Sequence, residues 1–217
     1  MQSLSMEIAV PEIVRGKFVT EETFLNARTD TYVILAEILN RAPSTELLCQ
    51  IQRVVLNPDM PGRLIDAWIF LRNAARKYPE KAVAEEFQSV FVGLGDGEVV
   101  PYASWYLDGL VKPSPLTRLR LDLAKLGIGR RKQVHEAEDH AGLLCETMAL
   151  LGRQRQIPVH AYARFFDGHI STWMFDFFID LQKAPSAAFY RSVGRLGICL
   201  LELEQVYLCK HRAAYAN

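Results

Sequence analysis

Apolar side chains recur at spacings of three and four along most of the chain, which is the periodicity of amphipathic helices. The pattern predicts helices over about residues 21 to 41, 46 to 55, 63 to 77, 80 to 93, 115 to 127, 141 to 152, 158 to 167, 170 to 181 and 186 to 213. No stretch alternates apolar and polar residues for long enough to predict a strand. We therefore expect an all-α protein, with a single helical domain of about ten helices.

Helix breakers divide this pattern into two helical groups. Ser44 or Thr45 is a suitable cap for the second helix, and Ser114 followed by Pro115 is typical of a helix start. Prolines in residues 112–115, and two glycines with three cations within residues 127–135, indicate linkers. We expect an N-terminal group over about residues 20–112 and a C-terminal group over about residues 136–213.

Acidic residues and histidine crowd the start of the helix predicted over residues 141 to 152. Glu136, Glu138, Asp139 and His140 follow His135 of the preceding linker. Helix capping is one explanation, because carboxylates are favoured at the positive end of a helix dipole. One side chain satisfies only one or two backbone amides, so five polar groups exceed the need for capping. We therefore also expect a binding function for this acidic stretch.

Composition excludes several classes of function. The 217 residues hold 25 basic and 25 acidic side chains, so no overall field attracts nucleic acid, although a local basic patch remains between Arg118 and Arg131. No apolar run reaches the roughly 18 residues of a membrane span, and no secretory signal precedes the first helix. The four cysteines show no CxxC spacing. We expect a cytoplasmic protein with buried, reduced thiols and no stable insertion into a membrane.

Enzymatic chemistry has little support in these residues. Glu136 and His140 have a spacing of four that places both on one helix face, but no second pair exists for a di-iron centre. No nucleophile elbow is present, and Cys145 lies where a buried residue is expected. The glycines at 93, 95 and 97 lack the spacing of a nucleotide loop. A metal-dependent helical enzyme and a nucleotide-binding regulator remain as alternatives to a binding protein without cofactor or catalytic residue.

Three short motifs occur in a fixed order. The first consists of Pro101, Tyr102, Ser104 and Tyr106, and the second of Glu136, Asp139, His140, Glu146 and Met148. The third consists of Phe165, His169 and Trp173. Together they resemble the TorD/DmsD/NarJ family of cytoplasmic chaperones for molybdenum-containing oxidoreductases. Two positions depart from the family pattern, since Ala137 stands where proline is common and Leu144 where an acidic residue is common.

This resemblance implies a chaperone that binds the N-terminal twin-arginine signal peptide, and often the body, of an immature molybdoenzyme catalytic subunit. Such a chaperone assists cofactor insertion and delays export, and it catalyses no reaction. Some members of the family bind guanine nucleotides, and this sequence leaves that property open. We expect either a monomer or a homodimer that exchanges helices through an extended linker.

The residues permit a mechanism for peptide binding. Carboxylates accept the two guanidinium groups, while aromatic side chains take the following apolar segment in a groove. Core packing is the alternative explanation for Trp105, Tyr106 and Trp173. The predicted client-binding residues are Glu136, Glu138, Asp139, His140, Tyr102, Ser104, Trp105, Tyr106, Trp68 and Trp173.

Overall fold

The computed structural model describes residues 21–57, 60–93, 97–110, 112–129, 136–154 and 156–215, with side chains from residue 25 to residue 211 within these ranges. Most of the predicted linker over residues 127–135, including His135, lies outside the described residues. Ten α-helices occur within the described ranges: α1 Glu21–Asn40, α2 Thr45–Arg53, α3 Gly62–Lys77, α4 Glu80–Phe87, α5 Ala103–Leu107, α6 Pro115–Lys125, α7 Ala141–Arg153, α8 Val159–His169, α9 Met174–Lys183 and α10 Phe189–Tyr215. A π-helical turn, Gln88–Val92, extends α4. The all-α prediction is confirmed.

Helices from both predicted groups contribute to one apolar core. α1 packs along α7, and α10 packs against both α3 and α9. Leu35 of α1, Leu71 of α3, Phe177 of α9 and Leu196 of α10 are fully buried in this core. The residue limits of the two helical groups remain a prediction. Helices of both groups pack in the same core.

Two glycines allow neighbouring helices to approach closely. A Cβ atom at Gly142 of α7 would lie 2.2 Å from the side-chain oxygen of Asn40 at the end of α1. A Cβ atom at Gly197 of α10 would lie 2.4 Å from the ring of Phe178 in α9. Only a residue without a side chain fits at these two positions.

The first turn of α10 is capped by side chains from another part of the chain. Glu86 of α4 accepts hydrogen bonds from the backbone amides of Ala188, Phe189 and Tyr190 at 2.7 to 3.0 Å. Glu98 accepts the amide of Ser186 at 3.0 Å. Glu86 thus satisfies the first unpaired amides of α10 and lies at its positive dipole end, while Glu98 fixes the segment that precedes the helix.

A buried ion pair joins α1 to α10. Nη1 of Arg28 lies 3.1 Å from Oε2 of Glu204, and both residues are buried. The hydroxyl of Tyr162 donates to Oε1 of Glu204 at 2.6 Å, and the guanidinium stacks 4.6 Å from the ring centres of Tyr162 and Tyr207. These contacts compensate for moving both charges out of water.

One predicted helix start and one explanation of a helix start need correction. The predicted helix over residues 170 to 181 begins only at Met174, because residues 170 to 173 form a turn after α8. The Trp173 indole donates to the carbonyl of His169 at 2.9 Å in this turn. The helix α7 begins at Ala141, as predicted, but capping does not explain the acidic stretch before it, since the cap is His140 and no acidic residue lies in the first turn. Ser44 and Ser114 cap α2 and α6, as predicted.

In the part of the chain that the structure describes, no helix is both long and apolar enough to cross a bilayer.

Candidate functional site

Two of the sequence motifs meet through a backbone bridge. Tyr102 and His140 form an isolated antiparallel pair, in which the Ala103 amide donates to the Asp139 carbonyl at 3.1 Å. The Ala141 amide donates to the Pro101 carbonyl at 2.8 Å. The bridge places the start of α5 directly beside the turn that leads into α7.

Asp139 lies at the centre of this junction. Its side chain is 1% exposed, and its Oδ2 accepts the Ser104 amide near the start of α5 at 2.9 Å. Its Oδ1 is buried, and no donor among the residues that the structure describes forms a hydrogen bond with it. Asp139 lines a small pocket with Arg118, Leu119 and His169, which has room for about one water molecule. A buried carboxylate oxygen without a donor is costly, so the pocket favours a ligand that donates hydrogen bonds.

Glu136, Tyr102 and His140 form a second part of the junction. The Tyr102 hydroxyl donates to Oε2 of Glu136, and its ring packs edge-on against the His140 ring at 5.1 Å. Partial burial and the nearby Glu136 carboxylate raise the pKa of Tyr102, so its hydroxyl keeps its proton. Burial lowers the pKa of His140 to about 4, against the opposing effect of Glu136 and Asp139. The neutral ring accepts the Gly142 amide at Nδ1, at 3.2 Å.

Glu138 faces α6 and pairs with Arg120. Nε and Nη2 of Arg120 both approach Oε2 of Glu138, at 3.1 and 2.9 Å. The side chain of Arg120 is 53% exposed and that of Glu138 is 15% exposed. One of the predicted client-binding carboxylates is thus engaged by a guanidinium group of the protein itself.

His169 of the third motif lines the pocket, and we call the connected side chains of His169, Trp173 and Tyr106 the wall. Nε2 of His169 lies 2.9 Å from Oδ2 of Asp122 in α6, and burial lowers the pKa of His169 despite this carboxylate. Trp173 packs at 5.3 Å from the Tyr106 ring. The Tyr106 hydroxyl donates to Oδ2 of Asp180 at 3.1 Å, and partial burial raises its pKa. The wall therefore consists of side chains fixed by packing and hydrogen bonds.

The predicted aromatic residues differ widely in exposure. Trp105 of α5 is 61% exposed, and Leu110 beyond the end of α5 is also exposed. Trp68 and Trp173 are only 4% and 1% exposed, so the structure supports core packing and not a groove for these two side chains. Both indoles pack inside the helical core, where a client segment has no access. Tyr106 is partly buried against the core.

Three residues of this site were not among the predicted client-binding residues: Arg118, Arg120 and His169. His169 belongs to the third motif, but the sequence of this motif does not predict that His169 lines the Asp139 pocket. Arg118 and Arg120 belong to the basic patch noted between residues 118 and 131. Their opposite charge to the acidic stretch was the available signal for their proximity.

The chemistry of the site is that of cation recognition. Glu136, Glu138 and Asp139 supply carboxylate oxygens from four consecutive residues before α7, and each carboxylate is held by a different neighbour. Within the described ranges, no group of three or more His, Cys, Asp or Glu residues converges to hold a metal ion. Carboxylates fixed in this way accept hydrogen bonds from guanidinium or ammonium groups.

Known proteins of similar sequence are chaperones. The chain is 30% identical over 131 residues to the "Probable Tat proofreading chaperone DmsD" of Haemophilus influenzae, which covers 59% of this chain and 63% of that protein. It is 23% identical over 140 residues to "Chaperone protein TorD" of Vibrio cholerae, covering 60% of this chain and 64% of that protein. The chain thus spans just under two thirds of the length of these two relatives.

A longer match has similar identity. The chain is 23% identical over 207 residues to "Chaperone protein TorD" of Aliivibrio fischeri, covering 85% of this chain and 96% of that protein. Residues 57–179 match the family described as nitrate reductase delta subunit. The matched range includes all three motifs and every residue of the junction around Asp139. The chain therefore belongs to the nitrate reductase delta subunit family, the TorD/DmsD/NarJ family that its motifs resemble.

Proposed function

We propose that this protein is a chaperone that binds the twin-arginine signal peptide of an immature molybdenum-containing oxidoreductase. The observation that carries the proposal is the group of three carboxylates at Glu136, Glu138 and Asp139, each fixed by a neighbour, with the Oδ1 of Asp139 buried and without a hydrogen-bond partner among the described residues. Relatives named as Tat proofreading and TorD chaperones support the same class of client. No chemical step is required, because binding alone delays export.

The paired arginines of the peptide provide the donors for these carboxylates. A guanidinium group presents two parallel N–H donors, and a carboxylate accepts them with a geometry that a lysine cannot reproduce. One arginine approaches Asp139 from the mouth of its pocket, since the pocket itself has room for only about one water molecule. The other arginine binds on the more accessible side at Glu136 or Glu138. Their partners in the free protein, Tyr102 and Arg120, exchange for peptide donors.

The apolar segment of the signal peptide follows the arginines. Trp105 and Leu110 expose apolar surface on and beyond α5, next to the bridge between Tyr102 and His140. A peptide that is held by its arginines at residues 136–139 lies within reach of this surface. Burial of the apolar segment there adds affinity that salt does not screen.

The proposed client determines the compartment and the partner. A signal peptide must be held before export, so we place the protein in the cytoplasm with the catalytic subunit of an immature molybdoenzyme. The four cysteines, Cys49, Cys145, Cys199 and Cys209, are all free thiols, which is typical of a reducing compartment. Co-purification from the native host identifies the client enzyme.

We propose that the binding unit is a monomer and that a domain-swapped homodimer is its alternative form. The predicted linkers at residues 112–115 and 127–135 precede and follow α6, which packs against α5 and α8. A linker that extends instead of folding back would give the same contacts between two copies. Size-exclusion chromatography over a concentration series, before and after refolding, separates the two forms.

Calorimetry with synthetic peptides tests the proposed function. A peptide with paired arginines and a following apolar run should bind, and its double-lysine version should bind more weakly. A peptide with the same composition in scrambled order is the matched control. Equal affinity for all three peptides, or no binding to any, would overturn the proposal.

A further inference from the structure

A guanidinium group of this protein already occupies one carboxylate of the candidate site. Arg120 places Nε and Nη2 on Oε2 of Glu138, at 3.1 and 2.9 Å. Arg120 is the sixth residue of α6, and the cap at Ser114 and the buried side chains Leu119 and Leu123 fix this helix against the core. The position of α6 in the fold therefore places the Arg120 guanidinium beside Glu138.

We propose that Arg120 is a resident competitor that the client arginine must displace, and that it determines how tightly and how selectively the site binds arginine peptides. This inference rests on the proposed function of the site. The competing groups are chemically identical, because the client and α6 both offer a guanidinium to the same carboxylate. Two adjacent client arginines can replace the single resident arginine, whereas an isolated cation gains little by the exchange.

The exposure of the pair makes such an exchange feasible. Half of the Arg120 side chain faces water, so its ion pair with Glu138 is solvated and weak. A weak resident contact lowers the affinity of a client without preventing its binding. Solvated ion pairs of this kind correspond to about a two- to fivefold change in a binding constant.

Arg120→Gln is the direct test, because it removes the cation and keeps a side chain of similar length. We expect the paired-arginine peptide to bind about two- to fivefold more tightly to this variant than to the unchanged protein. The thermal midpoint should change by no more than about two degrees, since the lost pair is exposed.

Lys125→Gln is the matched control for net charge. Lys125 lies on the same helix and pairs with Asp122 at 2.8 Å, away from Glu138. It changes the charge by the same amount, and the carboxylate that it releases, that of Asp122, is not one of the three proposed to bind the client. We expect a smaller gain in affinity than for Arg120→Gln, and one that disappears in high salt.

A double variant shows whether the gain in peptide affinity of Arg120→Gln depends on the Glu138 carboxylate. In a Glu138→Gln background, Arg120→Gln has no carboxylate to release, so its gain should fall to that of Lys125→Gln. If Arg120→Gln binds no more tightly than Lys125→Gln, the resident competitor is refuted while the proposed function stands. If the unchanged protein fails to bind the paired-arginine peptide, both are refuted together.

Discussion

Oδ2 of Asp139 accepts the backbone amide of Ser104 at 2.9 Å, so this carboxylate caps α5 and not the helix that follows it in sequence. Asp139→Asn retains an oxygen acceptor for Ser104 but loses the negative charge. We expect the thermal midpoint to stay within a few degrees of the unchanged protein. The affinity for the paired-arginine peptide should fall at least about tenfold in calorimetry, because a charge-assisted hydrogen bond is lost.

Asp139→Ala is the contrasting variant, since it removes both oxygens. It should lose peptide affinity and also about 1 to 3 kcal/mol of stability, because the Ser104 amide then lacks its partner. An Asp139→Asn variant with unchanged affinity and an intact fold would assign Asp139 to capping alone. Glu136 and Glu138 would then be the carboxylates to test.

The buried His140 predicts an acid-sensitive fold. Its pKa is lowered to about 4, whereas an unfolded chain binds this proton near pH 6.5. The unfolded state therefore takes up more protons between these values, and stability is complete above about pH 6.5 and falls as the pH is lowered. The loss from this residue approaches about 3 kcal/mol near pH 4.

His140→Asn isolates this effect, because asparagine keeps an acceptor for the helix cap and does not titrate. Urea unfolding of both proteins between pH 7.5 and pH 4.5, in steps of roughly half a unit, measures the difference. The unchanged protein should lose more stability over this range than the variant. Parallel curves would show that His140 titrates normally in the fold.

Close packing of α9 on α10 predicts a cost for any side chain at position 197. In Gly197→Ala the added Cβ would meet the Phe178 ring at 2.4 Å, so ring or backbone must shift. We expect a loss of about 1 to 3 kcal/mol in chemical unfolding. Gly168→Ala in α8 is the control, since no atom lies within 4 Å of its added Cβ and helix propensity should improve stability slightly. Equal stability of the two variants would contradict this packing.

The cap of α10 by Glu86 is open to a similar test. Glu86→Ala leaves the amides of Ala188, Phe189 and Tyr190 without their acceptor, and we expect a loss of about 3 kcal/mol. Glu85→Ala changes the neighbouring, exposed residue, which only approaches Lys81 at 4.0 Å, and should cost less than about 0.5 kcal/mol. Thermal unfolding of both variants measures this difference, and similar midpoints would exclude a capping role.

Local patterns in the sequence predicted most of the helices. Ser44 and Ser114 cap the helices expected of them, because a cap depends on residues two or three positions away. The same local reasoning gave capping of α7 as one explanation of the acidic stretch before residue 141. It failed there because Asp139 and Glu138 have partners on α5 and α6, 35 and 18 residues away in sequence.

Contacts between residues far apart in sequence explain the other differences between the predicted and the observed structure. Glu86 binds α10 across about a hundred residues, and Arg28 pairs with Glu204 across 176. No periodicity or motif predicts such contacts, because each contact depends on how whole helices pack. Trp68 and Trp173 illustrate the same limit, since an aromatic residue has the same pattern in a core and in a groove.

The backbone pair between Tyr102 and His140 has a thermodynamic consequence for recognition. Its two hydrogen bonds fix the residues around Asp139 when the chain folds, before any peptide arrives. The conformational entropy of ordering this surface is therefore lost on folding and does not oppose association. On binding, the proposed peptide would therefore lose mainly its own freedom, besides displacing side chains such as Arg120 that rest on the carboxylates.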